Sequence, residues 1–249
     1  MSEARLELKS VSKRFGDLEV LGDISLSVRA GEFVSILGPS GAGKSTILQM
    51  LTGALRHDGG DILCDGAPLA SNSHRFAFMP QRDALMPWRR IIDNATLGLE
   101  VQGMTRAAAR EKVQPLMAEF GLAGFERHYP SQLSGGMRQR VALLRTVVQQ
   151  RSMLLLDEPF GALDALTRAR MQRWLSSMWT RHHWTVLLIT HDVRESVLLS
   201  DRIYVLSPRP ARVLRHYEIP LPHPRPPAGD ATLSTIEADI LETLLTLEE

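Results

Sequence analysis

A chain of 249 residues, 44% hydrophobic and 23% charged, is ordinary for a soluble globular protein and long enough for one large domain or two small ones. Its net charge of +1 makes no global electrostatic case for nucleic-acid binding. The single cysteine, Cys64, excludes an internal disulfide and suits a reducing compartment; no signal peptide is expected, and no run approaches the ~20 apolar residues of a membrane span.

In chain order, Leu6 and Leu8 alternate with polar neighbours, as do Ile24, Leu26 and Val28, which predicts two half-buried strands. Phe15 lies in a polar loop, where it either stacks on a flat base or is a small surface hydrophobe. Phe33 to Leu37 is a short apolar run suited to a buried strand. It leads into Gly38-Pro39-Ser40-Gly41-Ala42-Gly43-Lys44-Ser45-Thr46, which fits the G-x-x-x-x-G-K-[ST] phosphate loop. Ile47, Leu48, Leu51 and Leu55 then recur at helical spacing. Glycines let backbone N–H groups converge on one anion, and the helix dipole adds to them. Lys44 suits the outer phosphates and the Ser45 hydroxyl suits Mg2+.

Ile62 to Cys64 is bracketed by glycine turns and reads as another strand. Phe76 to Met79 is a strand running toward Gln81, an amide able to ligate Mg2+ or orient water, or an ordinary surface residue. Leu85-Met86-Pro87-Trp88-Arg89-Arg90 is a mixed apolar and basic stretch unlike a normal loop. From Thr105 to Leu122 the pattern is helical, with Gly121 suited to end it and Pro115 expected to kink it or start a new helix. Leu133-Ser134-Gly135-Gly136-Met137 opens another helix. Ser134 suits its N-cap, and the two glycines leave a bare end that an anion can approach.

Met153 to Leu156 is too apolar to alternate and reads as a strand buried on both faces, ending at Asp157-Glu158. Neighbouring strand residues face opposite ways, so the two carboxylates divide the work: Asp157 to the metal, Glu158 to water. The alternative is a pair of solvated acids. Asp164 precedes a helix carrying Met171, Leu175 and Met178. Thr185 to Thr190 is a buried strand ending at His191, which either senses a γ-phosphate or is structural. Val193 to Leu199 is a short helix and Ile203 to Leu206 the last predicted strand. Half the prolines fall between Pro208 and Pro227, which predicts an extended segment, and Thr232 to Leu245 reads as a terminal amphipathic helix. Buried strands alternating with helices indicate an α/β fold with a mainly parallel sheet.

Together these motifs resemble an ATP-binding-cassette (ABC) ATPase over nearly all of Leu6 to Leu206. Leu133-Ser134-Gly135-Gly136 is similar to the family's signature. It stands in order with the Walker A loop, a Q-loop at Gln81, Walker B at Asp157-Glu158, a D-loop at Asp164 and a switch histidine at His191. The resemblance implies a P-loop ABC ATPase fold: a RecA-like α/β core, an antiparallel β-subdomain and an inserted helical subdomain at about 91–148. Residues 207–249 would then form a proline-rich tail and terminal helix within a single nucleotide-binding domain.

The resemblance further implies Mg2+ held by Ser45, Gln81 and Asp157, adenine stacking on Phe15, and catalytic roles for Glu158, His191 and Gln81. The partners would be a second copy in a head-to-tail dimer, with Leu133 to Met137 reaching the ATP of the other subunit, and membrane-spanning permease subunits taken up near Gln81 to Arg90. Leu85, Met86 and Trp88 would be the apolar anchors of that groove and Arg89 and Arg90 its rim. A solute-binding protein would act indirectly, and the location would be peripheral on the cytoplasmic side of the inner membrane. Leu85-Met86-Pro87-Trp88 and Ser207-Pro208-Arg209-Pro210 look like the importer branch for nitrate, sulfonate, taurine and pyrimidine precursors. A soluble ABC ATPase of translation or DNA repair, an exporter ATPase and a P-loop kinase are the competing readings. Met137 stands where many members have glutamine.

Overall fold

The computed structural model describes residues 4–69, 75–226 and 230–246. Its strands are β1 (Ala4–Phe15), β2 (Leu18–Arg29), β3 (Phe33–Leu37), β4 (Gly59–Cys64) and β5 (Ala67–Pro68), then β6 (Phe76–Met79), β7 (Met153–Asp157), β8 (Val186–Thr190), β9 (Arg202–Leu206) and β10 (Ala211–Glu218). They join in the order β5-β4-β1-β2-β10-β9-β3-β8-β7-β6. The stretch from β9 to β6 is parallel, and β5, β4, β1 and β2 are antiparallel. β10 links the halves, antiparallel to β9 and parallel to β2. This strand is a correction, since Ile203 to Leu206 was expected to be last. Its residues alternate weakly in polarity and follow a proline cluster, and its pairing comes from β9 and β2 rather than from its own pattern.

The central strands are buried throughout because helices cover both faces, as parallel sheets require. α1 (Lys44–Leu51) packs Ile47, Leu48 and Leu51 between the parallel sheet and the β1–β2 hairpin, against Val34, Ile36, Leu6 and Ile24. The opposite face carries α2 (Ile91–Ala95), α3 (Leu97–Val101), α4 (Arg106–Glu119), α5 (Gly135–Val147) and α6 (Ala165–His182). α7 (Val193–Leu199) and α8 (Ala231–Leu245) close a third cluster around Leu37, Ile203 and Val205. Among the described residues, no helix is long and apolar enough to cross a membrane.

Pro115 does not start a new helix: α4 runs unbroken through it from Arg106 to Glu119. The proline sits on the exposed face, where water can satisfy the carbonyl its missing N–H leaves unpaired. Asp93 on α2 is buried, which pushes its carboxyl up; Arg106 and Arg110 more than offset this and hold it below the usual range. The pairs, at 2.5 and 2.6 Å, tie α2 to α4.

The proline-rich stretch after β10 is pinned by Arg225, buried at 4% exposure. Its guanidinium donates to the carbonyls of Val197, Ser200, Ile219 and Leu221. Five Arg225 N–H groups thereby do for an irregular segment what a ladder does for a strand. Pro227 lies outside the described residues.

Candidate functional site

β3 delivers the glycine loop at the carboxyl edge of the parallel sheet, where ligands collect in such folds. Gly41 and Gly43 take φ of 83° and 81°, a region that favours glycine. A side chain at Gly43 would also meet Leu21 at 2.6 Å, so β2 closes over the loop. Lys44 is buried, and its ammonium donates to the carbonyls of Gly38 at 2.7 Å and Pro39 at 2.8 Å. Burial lowers its pKa, against the pull of Glu158 and Asp157.

The loop forms one wall of a cleft of about 510 Å3 that brings together Ser40, Gly41, Lys44, Ser45 and Thr46 with Gln81, Glu158 and His191. β3, β6, β7 and β8 end side by side, which is why residues so far apart in sequence meet here. Gln81 Nε2 donates to Glu158 Oε2 at 2.9 Å, and His191 Nδ1 lies 3.1 Å from Glu158 Oε1. One carboxylate is thus held from both sides.

Asp157 ends β7, but Glu158 has left the strand. Its φ is 42°, and its N–H donates to the Ile189 carbonyl at 2.8 Å. The expectation that the two carboxylates diverge because strand residues alternate therefore does not apply. A left-handed turn, not the pleat, separates them. Such a backbone costs on the order of 1 kcal/mol or more and persists where the surroundings over-determine it. Asp157 is pushed up to about 6, by burial first and by the Glu158 charge second, with Lys44 pulling it down. A partly buried carboxyl crowded by another carboxylate fits a site completed by a cation. Asp157, Ser45 and Gln81 are the all-oxygen donor set a hard ion such as Mg2+ takes.

Asp164 caps α6, accepting from the Thr167 N–H at 3.0 Å, and is exposed. Ser134 caps α5, accepting from the Met137 N–H at 3.3 Å. None of Leu133 to Met137 is among the residues lining the cleft. Leu133 is buried and Met137 packs against the core, so neither side chain is free to meet a nucleotide. Gly136 is not bare: it is buried, and an added side chain would meet Thr167 on α6 at 2.9 Å. Close packing is one reason for glycine there. Ser134 and the half-buried Gly135 remain accessible.

Phe15 ends β1, 47% exposed, with the Lys13 ammonium 5.5 Å from its ring centre; it does not line the cleft. Arg209 was not foreseen as a site residue, yet it lines the cleft and its Nε donates to the Gly41 carbonyl at 2.5 Å. In the sequence Ser207-Pro208-Arg209-Pro210 is similar to the importer branch but carries no sign that it folds back on the loop.

A second hollow, about 690 Å3, lies by the edge strand β6, lined by Phe78, Leu97, Val101, Gln102, Arg145 and Arg151 among others. The stretch Leu85 to Arg90 differs from its expected form. Leu85 is buried in the core, Arg89 pairs with Glu100 at 2.7 Å, and Trp88, 73% exposed, does not line the hollow. Leu85 is drawn inward beside Met79 and Ile91, while Phe78, Leu97 and Val101 are the apolar side chains that line the hollow. Arg138 joins Asp83 at 3.0 Å, and Arg145 donates to the Asp83 carbonyl at 2.6 Å, so the segment after Gln81 is tied to both the first and the last turn of α5.

Residues 21–161 match the model of the ABC transporter family. The chain belongs to the ABC transporter family. It is 43% identical over 244 residues to the aliphatic sulfonates import ATP-binding protein SsuB 2 of Pseudomonas aeruginosa, covering 98% of this chain and 86% of that one. It is 44% identical over 240 residues to SsuB 1 of Rhodococcus jostii, covering 96% and 93%. Among solved structures it resembles a dimeric bacterial ABC transporter cassette, at a TM-score of 0.72 and 28% identity over 86% of this chain and 98% of that one. The same cassette in a dimeric post-hydrolysis state bound to ADP and Pi matches equally. As an ABC ATPase, the chain binds and hydrolyses ATP, and its α/β architecture is the P-loop fold of the family.

Proposed function

We propose that this chain is the ATP-hydrolysing subunit that energises a membrane importer of an aliphatic sulfonate or a kindred small solute. The observation that carries it is the cleft, where the phosphate loop, Gln81, Glu158 and His191 converge on one volume. Import follows from relatives at 40–44% identity whose names state it. We read residues 1–249 as a single nucleotide-binding domain, with 91–148 as its helical subdomain and 207–249 as its tail.

In this reading the loop amides and Lys44 bind the phosphates, Lys44 exchanging the Gly38 and Pro39 carbonyls for phosphate oxygens. Phe15 would stack on adenine. Mg2+, held by Ser45, Asp157 and Gln81, would neutralise charge on the phosphates. Glu158 accepts a proton from the attacking water at its carboxylate. Gln81 and His191 hold that carboxylate in place, and His191 and Gln81 relay whether the terminal phosphate is present. Asp164 would face the second subunit.

The signature residues lie outside the cleft of their own chain, which suits a head-to-tail pair in which Ser134 and Gly135 reach the partner's nucleotide. Permease subunits would seat in the hollow beside β6. The Asp83 links to Arg138 and Arg145 would carry motion between that hollow and α5. A solute-binding protein would act through the permease, and the chain would sit on the cytoplasmic side of the inner membrane.

The test is a pull-down of tagged Glu158→Gln chain, with ATP, from detergent-solubilised native membranes. A multi-span protein beside a sulfonate-type binding protein is expected. Recovery of ribosomal or DNA-repair proteins without any membrane partner would refute the transport reading and leave the ATPase standing.

A further inference from the structure

The hairpin that follows the parallel sheet is aimed at the phosphate loop. β9 runs parallel to β3 with Val205 opposite Leu37, so both leave the sheet at the same edge. An added side chain at Gly38 would meet Leu206 Cβ at 3.1 Å, so the first residue past β3 still packs on the end of β9. β9 then turns through Ser207 to Pro210 into β10. Ser207 organises that turn. Its hydroxyl donates to the Pro208 carbonyl at 2.8 Å and accepts from the Arg212 N–H at 3.0 Å, and its own N–H donates to the Arg212 carbonyl. Pro208 and Pro210 stiffen the two sides of Arg209 by fixing φ.

Arg209 stands at the tip, exposed, in the cleft wall. Its Nε holds the Gly41 carbonyl, and its Nη2 lies 3.3 Å from where a Gly41 side chain would begin. Apart from Gly41 and its two chain neighbours, the nearest atoms to that point all belong to Arg209, so the guanidinium occupies the space the glycine leaves. Among the described residues its Nη groups have no hydrogen-bond partner. The other cation of the loop, Lys44, is turned inward on two carbonyls. A guanidinium with unpaired N–H groups, fixed beside a phosphate loop, is a ready phosphate ligand, because its planar fork matches two oxygens at once.

We propose that Arg209 is a nucleotide-binding residue of this chain: its guanidinium grips the loop at Gly41 and gives its Nη groups to the polyphosphate of ATP. This rests on the reading of the cleft as the ATP site. It adds a ligand from outside the Walker, Q-loop, signature, D-loop and switch motifs, supplied by the turn between β9 and β10. The loop is then tethered to the segment that leads to α8.

The experiment compares wild type with Arg209→Ala, Arg209→Gln and Arg209→Lys, titrated with a fluorescent ATP analogue and competed with ATP, AMP and inorganic tripolyphosphate. Arg209→Ala is expected to weaken ATP and tripolyphosphate about tenfold and AMP much less. Arg209→Gln, which keeps a donor for Gly41 but no charge, should behave like alanine, and Arg209→Lys, which keeps the charge but loses the fork, should recover only part of the loss. Melting temperatures without nucleotide should agree within about 2 °C. Equal affinity of wild type, alanine and glutamine variants would overturn the inference alone. So would equal losses for AMP and ATP, or unchanged affinity with lost ATP-driven dimerisation, which would move Arg209 to the subunit contact. A wild-type chain unable to bind ATP would sink this inference and the ATP-site reading together.

Discussion

Glu158→Gln is the perturbation that separates binding from chemistry. The carboxylate accepts from Gln81 at 2.9 Å and faces His191 at 3.1 Å, and its side chain is 19% exposed. Glutamine has the same shape, so one contact survives through its amide oxygen. The other sets an amide N–H against His191 Nδ1, which can accept it only as the neutral Nε2–H tautomer, a constraint on the ring that costs at most about 1 kcal/mol. That corresponds to a melting shift of roughly 2–4 °C for a domain of this size.

The chemical effect is much larger. Removing a general base lowers the rate by ~10²–10⁴-fold, equivalent to about 3–5 kcal/mol of barrier. The charge change has its own signature. Glu158 is the second cause of the raised Asp157 pKa, so the variant's Asp157 should titrate lower than about 6 while burial continues to hold it above the ordinary range. Steady-state phosphate release, analogue titration and light scattering give rate, affinity and dimer lifetime. We expect a lost rate, retained affinity and a longer-lived dimer. Hydrolysis within a fewfold of wild type would refute the role of Glu158. Affinity falling in step with rate would mean that the carboxylate shapes the binding cleft instead.

Burial pushes Glu195 up to about 8, so the folded protein holds a proton that the unfolded chain, near 4.5, releases. Stability from this group is therefore full below about pH 4.5 and declines as pH rises toward 8. Glu195→Gln should lack that decline, and its melting advantage over wild type should grow between pH 5 and 8; parallel curves would refute the assignment. Arg225→Ala strips the donors from four carbonyls and should cost about 3–5 kcal/mol, a fall on the order of 10 °C in a melting scan. A fall under about 2 °C would mean that water replaces the guanidinium. Val101→Asp, at a residue 81% exposed beside the β6 hollow, should leave isolated ATPase activity within about twofold and reduce membrane-partner capture at least fivefold. Unchanged capture would place the docking surface elsewhere.

Elements whose signal is local were legible without coordinates. Phe33 to Leu37 is a strand, Val193 to Leu199 a helix, and Ser134 the cap of α5, each as periodicity and capping chemistry require. β10 was not, because an edge-like polar strand among prolines carries no pattern of its own. Leu85 and Trp88 look alike as apolar residues in a loop, yet one is buried and the other is 73% exposed. Their difference is set by which neighbour α2 brings up beneath them. Glu158 could be named from the sequence, but its left-handed turn could not, since the Ile189 carbonyl that holds it belongs to a strand paired from far along the chain.

By itself, then, the amino-acid order determined which chemical groups this protein possesses: a phosphate loop opening a helix, paired carboxylates after a buried strand, and a capped glycine pair. These depend on contacts between near neighbours, where spacing dictates geometry. The tertiary structure alone decided how those groups meet. Parallel strands from four parts of the chain end at one edge, so Lys44, Gln81, Glu158 and His191 share a cleft, and β9 beside β3 delivers Arg209 to Gly41. Long-range strand pairing is chosen by the burial of whole faces, and no single stretch of sequence contains that choice.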